Sequence, residues 1–174
     1  MNRDQSLTGR ERSFGDDDII VSKTDLKGRL TYVNRVFLDI ADLTLRETVG
    51  KPHSLIRHPH MPRCIFKLLW ERIQAGKELF AYVMNRSMNG DHYWVIAHVT
   101  PSYDAGGQIS GYHSNRRVAK KSALESVIAP LYAELLAIEE SHANGREGMN
   151  AAYAMLNDKL KAKGTDYDRF IFAI

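Results

Sequence analysis

From residue 19 onward, short apolar runs alternate with clusters of turn residues. Residues 19–24 and 30–33 are β-rich runs on either side of a turn signal at 25–28, which predicts a hairpin. After Asn34 the period changes. Val36, Phe37, Ile40 and Leu43 fall at helical spacing, and Thr44 followed by Glu47 resembles a capping box opening a further turn toward Val49, closed by Gly50 and Pro52. Between Met61 and Gly76, the residues Ile65, Leu68, Leu69 and Ile73 share one helical face, with Pro62 where a helix begins and Gly76 where one stops. Three β-patterned stretches follow, at 79–88, 93–103 and 109–118, separated by turns at Asn89-Gly90 and at 104–107. Two strands, short helices, a longer helix and then three strands predict an α+β fold: a five-stranded antiparallel sheet with short helices over one face.

Beyond residue 120 the pattern is helical throughout. Leu124, Ile128, Leu131, Leu135 and Ile138 are spaced 4-3-4-3, an apolar seam, with Pro130 on another face. Asn144 and Gly145 mark a break, and Met149, Tyr153, Leu156 and Leu160 continue the alternation toward Gly164. Such helices are marginal alone and need a surface to pack on. The expected division is therefore a polar arm, flexible or helical, over 1–18, the α+β unit over 19–120, and a C-terminal helical hairpin for output or dimerisation over 121–174.

Composition narrows the class of protein. The 174 residues hold one ordinary domain of about 100–150 residues and an appendage, and 44% hydrophobic against 26% charged residues is a globular balance rather than a disordered one. The net charge of +3 is dispersed without a Lys/Arg run of five, so nucleic acid is not an expected partner. The lone Cys64 has no disulfide or zinc-ribbon partner, which suits a reducing, cytoplasmic setting. No run of 18 apolar residues and no signal-like apolar core occurs, so direct membrane insertion is not expected. No nucleophile elbow, P-loop, dinucleotide fingerprint or paired-carboxylate site stands out, and an enzyme is not expected.

Two constellations carry chemistry. The first is residues 51–62, in which His53, His58 and His60 stand among Pro52, Pro59 and Pro62. Prolines at that density keep the histidines off a common helix face, so a rigid polar loop is favoured over a metal site. The second is residues 85–95, a hairpin turn at Asn89-Gly90 leading into Tyr93-Trp94.

Taken in order, these residues resemble the PAS domains of bacterial aerotaxis receptors. The match runs through Asp25-Leu26, Tyr32-Val33-Asn34 with Val36-Phe37, Gly50-Lys51-Pro52-His53, Arg57-His58-Pro59 with Met61-Pro62, Trp70, Asn85-Arg86, residues 89–95, Gly111-Tyr112 and Arg116-Arg117, and covers about residues 17–119. The resemblance implies a PAS fold and a non-covalently held FAD between sheet and short helices, signalling redox state or oxygen. It implies Arg57 and His58 beside the cofactor, Asn34 and Asn85 on polar edges or a neighbouring loop, and Trp70 and Trp94 as pocket walls. His60 joins that set where the family pattern has an aspartate, which changes the local charge by about one unit or more. Output is expected through the C-terminal helices to a second copy, a chemotaxis receptor or a signalling kinase.

Two other readings of the same fold stay open. One is a cofactor-free PAS module that assembles complexes through its seam. The other is a haem gas sensor with an axial ligand from His53, His58, His60, His92 or His113. A flavin–cysteine photoreceptor is disfavoured, because Cys64 follows Pro62 at the start of the long helix without the neighbours such sites have.

Overall fold

The computed structural model describes residues 7–174. Five strands, β1 (Ile20–Thr24), β2 (Leu30–Val33), β3 (Leu79–Arg86), β4 (His92–Tyr103) and β5 (Ile109–Val118), form one sheet in the order β2-β1-β5-β4-β3, antiparallel throughout. The chain enters at β1, one strand in from an edge, makes the β1–β2 hairpin, crosses over on helices, and returns at the far edge as the β3-β4-β5 meander, which ends in the middle of the sheet.

The crossover comprises α1 (Arg35–Ala41), α2 (Leu45–Thr48), a 3-10 turn (His53–Ile56) and α3 (Arg63–Gln74). Local chemistry sets each start. Asn34 caps α1, its Oδ1 accepting from Phe37 N–H at 3.1 Å, and the capping box of Thr44 and Glu47 opens α2. Helix α3 begins after Pro62, which offers no side-chain cap. Gly28 ends the β1–β2 turn at φ +74°, and a Cβ there would lie 3.1 Å from the Trp70 ring, so both backbone and packing call for glycine. Ile20, Leu30, Phe37, Ile56, Tyr93 and Val95 close the core between this layer and the inner sheet face.

The C-terminal segment runs through α4 (Lys121–Ala123), a π turn (Leu124–Ile128), α5 (Ala129–Glu140), α6 (Gly145–Ala162) and α7 (Tyr167–Ala173). These helices wrap the β3 side of the domain, where Tyr132 Oη donates to Tyr82 O at 2.8 Å and Phe172 meets Phe80 edge-on at 4.9 Å. The short helices thus cover one face, as the sequence predicts, and the C-terminal helices pack on part of the other. The apolar seam is consumed within the chain: Leu124, Ile128 and Leu135 are buried alongside α3, β3 and α6 residues. Each large side chain so enclosed contributes roughly 1.5–3 kcal/mol. A dimer built on that seam would have to expose it first.

The described part of the N-terminal arm is extended rather than helical. Thr8 N–H donates to Gly90 O (3.0 Å), His92 N–H to Arg10 O (2.9 Å) and Arg12 N–H to His92 O (2.7 Å), while Arg12 Nη1 pairs with Asp42 Oδ2 at 2.6 Å. The open edge at the β3–β4 turn supplies those partners, which a polar sequence alone does not reveal. Residues 1–6 of the expected arm lie outside the described residues. No helix among the described residues is long and apolar enough to cross a membrane.

Candidate ligand-binding site

A cavity of about 270 Å³ lies between the inner sheet face and α3, and the 3-10 turn adds His53 and Ser54 to its lining. Strand alternation aims Ser22, Val83, Asn85, Ala97, Tyr112, Ser114 and Arg116 into it, and α3 contributes Phe66, Leu69, Trp70 and Ile73 at helical spacing. Trp70 and Tyr112 meet edge-on at 5.5 Å and form an aromatic wall. The more exposed end carries Lys27, Ser54 and half-buried Arg57.

Arg116 is the electrostatic centre of the cavity. It is 2% exposed; its Nε donates to Ser114 Oγ (3.1 Å) and its Nη2 to Ser22 Oγ and to His53 Nε2 (2.7 Å). A guanidinium only donates, so His53 Nε2 accepts and the imidazole proton sits on Nδ1. Burial, reinforced by Arg116, pushes the His53 pKa down to about 3, and the ring is neutral at physiological pH. Burial also pulls Arg116 down to about 10, which leaves it charged near neutrality. Among the described residues, Arg116 Nη1 and Asn85 Nδ2 are buried without a hydrogen-bond partner. Two unpaired donors beside an aromatic wall suit a flat ring carrying acceptors on one edge.

Three residues proposed from the sequence, Arg57, Trp70 and Asn85, come together on this cavity, and four do not line it. The Asn34 amide is spent on structure: besides capping α1, it accepts from Val21 N–H (3.0 Å) and donates to Ile19 O (2.7 Å). Trp94 was expected as a pocket wall, but alternation along β4 turns it to the outer face, where its ring lies 6.1 Å from that of Tyr132. His58 is buried behind the loop, edge-on to His60 (5.0 Å) and His92 (5.8 Å), with Nδ1 accepting from His60 N–H. Burial, and then electrostatic repulsion from the His60, His92 and Arg86 side, pushes His58 down to about 4. His60 itself is exposed, so the imidazole in place of the family's acid stands outside the cavity.

Ser22, Phe66 and the buried role of Arg116 were not legible beforehand. Arg116-Arg117 stand as a pair in the sequence, but which one points inward depends on strand register: Arg116 is buried and Arg117 exposed. Of the five candidate haem ligands, two line the cavity and three do not. His53 and His113 line the cavity with Nε2 engaged, by Arg116 and by Asn115 Oδ1 (3.0 Å), and the other three lie outside it. Cys64 does not line the cavity, and burial, with Glu139 adding to it, pushes its thiol up to about 12. No group of three or more His, Cys, Asp or Glu among the described residues is arranged to hold a metal ion.

A mixed-layer domain with this sheet order and one cavity beneath the crossover helices is the architecture of the PAS class, and the chain belongs to the PAS fold family, whose model matches residues 30–134. Within that family it is similar to an aerotaxis receptor. It is 37% identical over 135 residues to the aerotaxis receptor of Escherichia coli (strain K12), a match covering 78% of this chain and 26% of the receptor. It is 22% identical over 99 residues to the nitrogen fixation regulatory protein of Klebsiella pneumoniae, covering 57% of this chain and 20% of that protein. The chain thus spans about a quarter or less of the length of these relatives. A light-oxygen-voltage domain solved in a flavin-analogue study superposes with a TM-score of 0.55 at 15% identity, covering 67% of this chain and 87% of that one. The PAS domain of a protein from Colwellia psychrerythraea does so with a TM-score of 0.54 at 16% identity, covering 59% and 87%. At those identities the superpositions speak to fold alone.

Proposed function

We propose that this PAS sensory domain holds FAD non-covalently in the cavity and passes the redox state of the flavin, and through it oxygen or energy status, to a partner by way of its C-terminal helices. The observation that carries the reading is the pairing of the unpartnered donors Asn85 Nδ2 and Arg116 Nη1 with the wall formed by Trp70 and Tyr112. The carbonyl edge of an isoalloxazine offers acceptors to such donors, and its rings suit the apolar slot. At about 270 Å³ the cavity is just below the range of about 300–1,000 Å³ usual for ligand sites. It suits the flat head of the flavin, with the charged tail toward the exposed end and Lys27, Ser54 and Arg57.

Bound FAD would supply a reversible redox couple. Arg116 favours negative charge at the edge it faces, and neutral His53 keeps Arg116 in place without adding a second charge. The comparisons support the reading in kind, since one relative is an aerotaxis receptor and one structural neighbour was studied with a flavin analogue. In this view the protein is a cytoplasmic sensor rather than a catalyst, and its partner is a chemotaxis receptor, a signalling kinase or a second copy.

The test is an absorption spectrum of freshly purified protein, oxidised and then reduced, with and without added FAD. Visible flavin bands that bleach on reduction are expected. A colourless protein that retains no added FAD would overturn the proposal, and a Soret band would replace it with haem.

A further inference from the structure

Helix α3 forms one wall of the cavity and has no cap of its own, because Pro62 precedes it. The cap comes from another part of the chain. Glu139, near the end of α5 and only 7% exposed, accepts from Arg63 N–H through Oε2 (2.9 Å) and from Cys64 N–H through Oε1 (2.8 Å). One carboxylate thus satisfies two of the backbone donors that a helix start leaves open. Helix α6 closes on the same point: Arg63 Nη1 donates to Gly145 O at 3.1 Å, and a Cβ on Gly148 would lie 2.4 Å from Glu139 O.

The other end of this contact is the cavity. Arg57, which lines it, donates through Nη2 to Met61 O (3.2 Å) and lies 4.2 Å over the Phe66 ring. Arg57 also bridges in the backbone to Asn85, the strand residue with the unpartnered amide. A change of charge or packing at the cavity therefore reaches the start of α3 within one turn of chain.

We infer that Glu139 is a clamp coupling the cavity to the C-terminal helices, so that occupancy of the cavity and docking of α5 and α6 on α3 stabilise each other. The movable element is the π turn at Leu124–Ile128, between β5 and α5. A π turn holds one residue more than regular α winding, and such turns recur at functional sites. Its conversion to α winding turns the following helix by about 100°, one residue's share of a turn. That rotation would carry Glu139 off the start of α3, which makes the clamp two-state rather than continuously adjustable. Coupling is reciprocal, so each site must report on the other.

The inference takes its ligand from the flavin reading, and the experiment separates the two. The variant is Glu139→Gln, which keeps shape and one acceptor oxygen but removes the charge; its fold is checked by far-UV circular dichroism. Should it not fold, Glu139→Asp, which withdraws the carboxylate by one methylene, is read in the same way. FAD titrated into the wild-type protein is expected to slow amide exchange at Arg63, Cys64 and along α5, and the variant to bind FAD roughly tenfold more weakly. Equal affinity in the variant, or exchange in α5 indifferent to FAD, overturns the clamp. If wild-type protein takes up no FAD, the flavin reading falls and the ligand-free arm decides. In a Trp94→Phe background, Trp70 is the remaining tryptophan and reports on the cavity wall. A shift of its emission on adding Glu139→Gln sustains the clamp, and an unchanged spectrum overturns it.

Discussion

Replacing Arg116 by methionine separates what this residue does for the fold from what it does for a ligand. In the fold it is a buried guanidinium held by Ser114, Ser22 and His53. Burial lowers its pKa from 12.5 to about 10, which corresponds to roughly 3 kcal/mol against the charged form. Methionine is of similar length and removes that cost. The groups it leaves behind can satisfy each other, since Ser22 Oγ lies 3.2 Å from His53 Nε2 and can take over as its donor. Replacing buried charge by well-packed apolar groups is often neutral or stabilising by about 1–4 kcal/mol. The flavin-free variant is therefore expected to match or exceed wild-type stability in urea unfolding at pH 7. FAD binding should move the opposite way, because a hydrogen bond to a charged group contributes about 1.5–3 kcal/mol, or roughly 10- to 150-fold in Kd. Flavin fluorescence during titration measures it. A variant that unfolds several kcal/mol more easily yet binds FAD as well as wild type would refute the reasoning and make Arg116 a structural residue.

The other expectations follow from burial and placement. Acidification from pH 7 to 5 should weaken the fold, because the unfolded chain protonates its histidines near 6.5 while folded His53 and His58 stay neutral until about 3 and about 4. The unfolded state binds more protons in that window, so stability falls with pH by roughly 2 kcal/mol per histidine at pH 5. Urea melts at pH 7, 6 and 5 check it, and a flat profile contradicts it. Trp94→Ala should cost about 2 kcal/mol by loosening α5, less than the roughly 3–5 of a fully buried tryptophan, and weaken FAD binding only through that loosening, whereas Trp70→Ala, which removes a cavity wall, should weaken it more. Cys64, with its thiol pushed up to about 12, should resist a disulfide-exchange reagent at pH 8 in the native protein and react on unfolding.

The elements were legible because their signals are local. Periods of two and 3.6, the box of Thr44 and Glu47, and the Asn89-Gly90 turn each act within a few residues, and the structure places strands and helices where those signals stand. The order of motifs carried the family for the same reason. Position across the sheet was different. Trp94 and Asn85 sit on paired strands and read alike as sequence, yet one faces α5 and the other the cavity. A shift of one residue in register would exchange such faces, and register is decided by the whole sheet.

By itself the sequence determined the α+β alternation, the capped short helices, the resemblance to aerotaxis-type PAS domains, and a helical C-terminus with an apolar stripe. Only the tertiary structure decided that the stripe is buried in its own chain, that Arg116 rather than Arg117 enters the cavity, and that Glu139 caps a helix 75 residues before it. Backbone propensity and side-chain spacing act along the chain, and their effects end within a turn or two. Burial, the pairing of donors with acceptors, and the shifts in His53 and Arg116 depend on groups brought together from distant segments, and exist only once the sheet has closed over them.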